Sequence, residues 1–280
     1  MTPSNLDHET VTGFGDEWTA FDQSGVGEDE LDEIFEQYFS IFEWDRLPSE
    51  AVGFDMGCGS GRWARRVARR VGRLHCIDAS ERALEVAAGN LADHENCVLH
   101  LTSVEGTGLP HSSMDFGYSL GVLHHVPDTQ AAMTACVQLL KPGAPLLLYL
   151  YYAFDNRPLW YRLLWRLSDV GRRGLSRAPH DVKLAVSAVS AVIVYWPLAR
   201  TARVAARLGL SGARNLPLSY YAKRSLYTMR TDAYDRFGTR LEQRFTRAEI
   251  AAMMERAGLG EIRFSEREPF WCAVGTRADG

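Results

Sequence analysis

The sequence predicts an α/β chain built on a doubly wound, mostly parallel sheet, and three observations predict it. Val52 to Phe54 is a short apolar run that ends in Asp55 and breaks into glycines at alternate positions, Gly57, Gly59 and Gly61. A buried strand feeding a tight turn reads this way. A helical pattern follows over Arg62 to Val71, with Trp63, Ala64, Val67, Ala68 and Val71 on one face and arginines elsewhere. About 20 residues after the turn, a second apolar run, Leu74-His75-Cys76-Ile77, ends in another acid, Asp78. These pieces make the opening units of such a sheet, and the glycines allow a nucleotide-like ligand to approach the backbone.

The later elements continue the alternation. A helix is expected over Glu81 to Leu91, and a strand over Val98 to Leu101 leads into Thr102-Ser103-Val104-Glu105. A fourth strand lies within Met114 to Asp128, and a turn over Leu139 to Pro145 precedes a fifth, Leu146 to Tyr151. Near the end, Thr246 and Glu249 form a capping box for a helix that stops at Gly258. Two strands follow, near Leu259 to Ser265 and Phe270 to Thr276. A dinucleotide-binding turn would read G-x-G-x-x-G, but here the third glycine is at 61 and Arg occupies 62.

An acid two residues before G-x-G-x-G resembles motif I of the class I S-adenosylmethionine-dependent methyltransferases, in particular the ubiquinone/menaquinone methyltransferase-like, type 11 superfamily. Asp78 matches motif II, and Met114 to Asp128 resembles motif IV. The resemblance covers residues 51–152 and 245–276. It implies a Rossmann-like seven-stranded sheet with S-adenosylmethionine as cofactor. On that resemblance Asp55, Gly57, Cys58 and Gly59 would hold the methionine end, and Asp78 with Ala79 the ribose. The segment Ser103-Val104-Glu105 would meet the adenine, through either Ser103 or Glu105, while Leu120 and Gly121 would lie beneath the sulfonium. Phe14 to Trp18 resembles the family's N-terminal cover, with Trp18 as an apolar wall.

Methyl transfer from a sulfonium needs alignment, exclusion of water and, for a protonated acceptor, removal of one proton. Histidine suits that proton at neutral pH. His125, ahead of His124, is the candidate base, although the pair could instead shape the donor site. Tyr152 and Asp155 could orient or deprotonate a hydroxyl, Tyr151 lies beside them, and Arg157 could clamp a carboxylate or phosphate. Asp155 and Asn156 could equally cap the next helix. Arg230 and Tyr234 belong to a polar stretch that lines the substrate cavity or forms a hinge.

At 280 residues and 46% hydrophobic, the chain can bury one α/β core and an attachment, which excludes a disordered or fibrous class. Its organisation reads as an acidic helical cover (1–50), a cofactor-binding core (51–152), a helical insert (153–244) and the returning end of the core (245–280). The five cysteines, at 58, 76, 97, 136 and 272, include no C-x-x-C pair, so thiols in a reducing cytoplasm are expected and no metal is required. Met1 to Asn5 lacks a basic-then-apolar signal pattern.

The net charge of −4 conceals a segregation: residues 1–50 carry fourteen acids and one arginine, whereas 156–230 carry fourteen basic residues and two acids. That pattern leaves open an intramolecular pairing, an anionic substrate, a peripheral membrane contact or a homo-oligomer. Overall acidity argues against nucleic acid. Within the insert, Pro158 to Gly171 reads as an amphipathic helix, packed on the core as a lid, although its tryptophans and arginines would also suit a membrane interface. The uncharged run Leu184 to Ala199 reads as a buried or oligomer-forming helix, short for a membrane span. The expected function is O-methylation of a small molecule. The alternatives are a membrane-associated lipid or quinone methyltransferase and a non-catalytic donor-binding scaffold.

Overall fold

The computed structural model describes residues 5–210 and 212–279, and Met1 to Ser4, within the segment read for a signal, lie outside them. The backbone divides into two compact units. The first holds the chain to Asp22, Glu33–Ala153 and Leu241 onward, and the second Gln23–Asp32 with Phe154–Arg240. The N-terminal 50 residues are thus shared between the units, and the segment 241–244, read as part of the insert, belongs with the core.

Helix α1 (His8–Ala20) opens the first unit, and α2 (Glu28–Tyr38) runs across the division. Then come β1 (Val52–Met56), α3 (Ala64–Val67), β2 (Arg73–Asp78), α4 (Glu81–Asn90), β3 (Cys97–Leu101), β4 (Phe116–Leu120), α5 (Thr129–Leu139) and β5 (Pro145–Tyr149). The second unit supplies α6 (Leu159–Leu175), α7 (His180–Ser190), α8 (Trp196–Arg207) and α9 (Leu226–Gly238). The first resumes with α10 (Arg247–Arg256), β6 (Leu259–Phe264) and β7 (Cys272–Arg277).

Seven strands form one sheet in the order β3-β2-β1-β4-β5-β7-β6, parallel except for β7, which is antiparallel to both neighbours. The order reverses between β1 and β4, and an open α/β sheet binds its ligand outside the carboxyl ends of its strands at such a reversal. Sequence sets this central pair. Gly53 lies opposite Phe116 and Phe54 opposite Gly117, and a Cβ on Gly117 would stand 2.1 Å from the Phe54 ring. Each phenylalanine fills the space its partner glycine leaves. Leu146 and Leu148 of β5 point into one core cluster and Leu147 into the other, as expected of a sheet covered on both faces.

The helix expected over 62–71 is cut short. After α3 the chain tightens into a 3-10 turn, Ala68–Arg70, because Asn96 Nδ2 donates to the carbonyls of both Ala68 and Val71. Thr246 and Glu249 make the anticipated capping box of α10.

The second unit departs most from expectation. Helix α7, a wider π-helical turn over Ala191–Tyr195 and α8 form one continuous helix, His180–Arg207, long and apolar enough by length and composition to cross a membrane. The run Leu184 to Ala199 is not buried. Only Ser187, Ala191, Tyr195 and Ala199 turn inward, against α9, while Val189, Ile193 and Trp196 are exposed. Helix α6 does not bury its apolar face either. Its inner side is taken by Asp169, which accepts from Arg172 Nε at 2.5 Å, and Arg172 also donates to the Thr239 carbonyl.

Candidate functional site

The turn after β1 meets the turn after β4 at the sheet reversal. Gly57, Gly59 and Gly61 all adopt positive φ, and a Cβ on Gly59 would stand 2.8 Å from the Trp18 indole nitrogen. Trp18, on α1, therefore lies directly on the glycine turn, and Arg62 covers its ring at 5.4 Å. On the other side a Cβ at Gly57 would strike Val122, just past β4. Asp7 caps α1 by accepting from Thr10 N, and so starts the helix that carries Trp18.

Two carboxyls flank this turn in different environments. Asp78 accepts from the backbone N–H of Gly59 and of Ser80, each at 2.9 Å, and keeps an exposed edge. Burial raises its pKa, while the N–H groups of Ser80, Gly59 and Ala79 pull it back. Asp55 is 1% exposed, and its Oδ2 has no hydrogen-bond partner. Burial, opposed by the Tyr118 hydroxyl, pushes its pKa up to about 8. Cys58 is buried beside them, and burial first, then the charges of Asp78 and Asp55, raise its thiol well above the usual range.

Glu105 accepts from Asn5 Nδ2 at 3.0 Å, while Ser103 is half-buried at the head of the short turn Val104–Gly106. Leu120 ends β4, and Gly121, at φ +81, donates its N–H to the Tyr149 carbonyl.

The turn Leu123–His125 buries both histidines, His124 completely. Tyr151 N donates to His124 Nδ1 at 3.4 Å, which leaves the proton of a neutral ring on Nε2. Burial first, then His125 and Arg244, lowers the His124 pKa well below the usual value, so this ring stays neutral. His125 has the opposite tautomer: Nδ1 lies 2.7 Å from the Leu241 carbonyl and must donate to it, placing the lone pair on Nε2. Tyr151 stacks on His124 at 3.9 Å, and Phe14 of α1 meets His125 edge-on at 4.9 Å.

Sequence reasoning missed the segment that braces this turn. Gln243 N donates to the His124 carbonyl, and Gln243 Nε2 donates to the Val126 carbonyl at 2.7 Å. Arg244 lies over the Tyr151 ring, donates to the Tyr152 carbonyl and pairs with Glu242 at 2.7 Å. Tyr152 itself bridges to Phe245, and its ring lies 5.8 Å from Phe270.

Asp155, Arg157, Arg230 and Tyr234 belong to the second unit. Asp155 is exposed, and the cap position of α6 is Pro158, so neither Asp155 nor Asn156 caps that helix. Arg157 reaches Asn215 Oδ1 and covers Tyr161. Arg230 is exposed on α9, whereas Tyr234 is buried with its hydroxyl 2.8 Å from His180 Nδ1. Among the described residues no group of three His, Cys, Asp or Glu could hold a metal ion.

Residues 54–148 match the methyltransferase domain family model. An uncharacterized methyltransferase of Mycobacterium bovis is 28% identical over 131 residues, which cover 46% of this chain and 66% of that protein. A ubiquinone biosynthesis O-methyltransferase of Aromatoleum aromaticum is 28% identical over 181 residues, 64% of this chain and 71% of the relative. Its counterpart in Alkalilimnicola ehrlichii is 37% identical, but over only 32% of this chain and 37% of its own length. Among solved structures, a methyltransferase in complex with the Haloferax volcanii Trm112 activator shares the fold. Its TM-score is 0.52 at 13% identity, covering 95% of this chain and 98% of that one.

Proposed function

We propose that this chain, which belongs to the class I S-adenosylmethionine-dependent methyltransferases, uses S-adenosylmethionine to methylate a small-molecule acceptor on oxygen. The observation that carries this reading is the pair of carboxyls at the glycine turn. Asp78 holds its carboxylate on two backbone amides, with further lone pairs on both oxygens for the hydroxyls of a ribose. Asp55 Oδ2 is a buried acceptor without a partner, which suits the ammonium of the donor's methionine end. When bound, the donor supplies an electrophilic methyl on a sulfonium for in-line displacement.

The chain's own residues then position the acceptor and handle its proton. His125 Nε2 takes the hydroxyl proton, while its Nδ1–H, fixed on the Leu241 carbonyl, holds the ring in that tautomer. His124 remains neutral and presents Nε2–H as a donor. Oxygen as the accepting atom is further supported by the O-methyltransferase names of two relatives. The five free thiols fit a reducing compartment such as the cytoplasm.

Calorimetric titration with S-adenosylmethionine and S-adenosylhomocysteine tests the donor site. Asp78→Ala should weaken binding about 10- to 100-fold, the range for losing hydrogen bonds to a charged group. Absence of binding to the folded wild type would overturn the reading. Labelled methyl in metabolite extracts then tests the acceptor. Label on nitrogen or carbon removes the oxygen assignment, and binding without turnover supports a scaffold instead.

A further inference from the structure

The second unit carries an apolar surface built inside out. On α6, Leu159, Leu163, Leu167 and Val170 share one helical stripe, and Leu159 is 78% exposed. The opposite, inward face holds Asp169, Arg172 and Ser176, all buried. The long helix repeats the arrangement. Ala191 and Ala199 are fully buried, whereas Ile193 is 66% exposed and Val189, Trp196 and Val204 share its exposure. Large apolar side chains face outward and small or hydrogen-bonded ones inward, the reverse of a water-facing helical layer.

Charge identifies what covers this face. On α6 the one acid, Asp169, points inward and is paired with Arg172 and Arg173, and Arg162 and Arg166 flank the apolar stripe at helical spacing. On the long helix the one acid is Asp181, in the first turn, and Arg203 and Arg207 lie on the last turns. No acid occurs from Val182 to Thr231. A two-fold contact through this face would set arginines against arginines. An apolar stripe edged by arginines matches an anionic bilayer, whose chains receive the leucines while the guanidinium groups reach the phosphates.

We propose that α6 and the helix His180–Arg207 form an in-plane docking surface for anionic phospholipid membranes. The helix lies along the bilayer and does not span it, because its inner face is fixed to the rest of the unit along its length. Lys183 Nζ donates to the Gly238 carbonyl, Arg200 Nη1 donates to the Ala222 carbonyl, and Ala191, Tyr195 and Ala199 pack with Met229 and Ala233. Insertion across the bilayer would strip away all of these contacts. The surface stands independently of the methyl-transfer reading.

Flotation of the full chain with phosphatidylcholine vesicles, with and without phosphatidylglycerol, tests the surface. The protein should float with the anionic vesicles at low salt. The Leu163→Glu/Leu167→Glu variant should lose at least tenfold in bound fraction while retaining its helical circular dichroism and its donor binding. Should that variant misfold, the wild type decides alone: Trp160 and Trp196 fluorescence should be quenched more by lipids brominated near the headgroup than by lipids brominated at the chain ends. Three results would overturn the proposal. They are no flotation or equal flotation with neutral vesicles, stronger quenching from the chain ends, which means a span, and a dimer in solution that the double variant dissociates.

Discussion

Asp55 concentrates the electrostatic cost of the site in one residue. Its carboxyl is 1% exposed and pushed up to about 8 by burial, so in the folded chain it keeps its proton at neutral pH. The unfolded carboxyl loses that proton near pH 4. The folded state therefore binds more protons between about pH 4 and about pH 8, and Asp55's contribution to stability falls as pH rises through that window. Asp55→Asn should remove this slope and raise Tm at pH 7.5 by several degrees, at roughly 2–4 °C per kcal/mol. The same substitution tests function through protons. A donor ammonium beside Asp55 favours the carboxylate, so binding at pH 7 should release close to one proton from the wild type and none through this group in Asp55→Asn. Calorimetry in buffers of different ionisation enthalpy reads that number, and equal release by both proteins would remove Asp55 from the donor site. The position of Asp78 beside the glycine turn was legible because acid, spacing and strand end are adjacent in the chain. The opposite tautomers of His124 and His125 were not, because the Leu241 carbonyl that fixes one of them lies 116 residues away.

At the scale of elements, the histidine turn depends on a segment with no sequence signature of its own. Residues 241–245 run beside the turn, where Gln243 satisfies the carbonyls of His124 and Val126, and Phe245 N donates to the Tyr151 carbonyl. Gln243→Ala keeps the backbone bond to the His124 carbonyl but leaves the Val126 carbonyl without its side-chain partner, which should destabilise the protein by about 1–3 kcal/mol and let the turn shift. His125→Ala, which removes a buried ring and the donor to the Leu241 carbonyl, should destabilise by a similar amount but should also lower kcat about 100- to 10,000-fold, the range for a general base. Donor affinity should be unchanged in both. Chemical denaturation reads the shared loss and steady-state kinetics separate the two, and a His125→Ala enzyme that keeps its kcat would reduce the pair to shaping the site. The strands were readable because buried parallel strands are continuous apolar runs ending in acids or glycines. Their helices were less so. Asn96 stops the helix after β1 from a position 25 residues beyond Val71, and no local pattern announces such a cap.

For the molecule as a whole, amphipathicity was visible in the sequence but its direction was not. A helical wheel of α6 places leucines on one side and Asp169 with Arg172 on the other, and the bond from Arg172 to the Thr239 carbonyl, 67 residues away, decides which side is inside. The two units consequently differ in what holds them together. The first flanks its sheet with two large apolar clusters, one on each face. Among the described residues the buried hydrophobic cluster of the second is small, Ala191, Tyr195, Ala199, Met229 and Ala233, and it is joined by hydrogen bonds such as those of Lys183 and Arg200 to backbone carbonyls. Regions with little buried apolar contact open at lower free energy than the global transition. Amides of α6 to α9 should therefore exchange with solvent about 100-fold faster than those of β1, β4 and β5, a difference of about 2.7 kcal/mol in opening. Anionic vesicles should slow exchange in α6 and in His180–Arg207 and leave the strands unchanged, because binding stabilises only the state that presents the apolar face. Equal protection in both units without vesicles would mean that the exposed face carries no stability deficit.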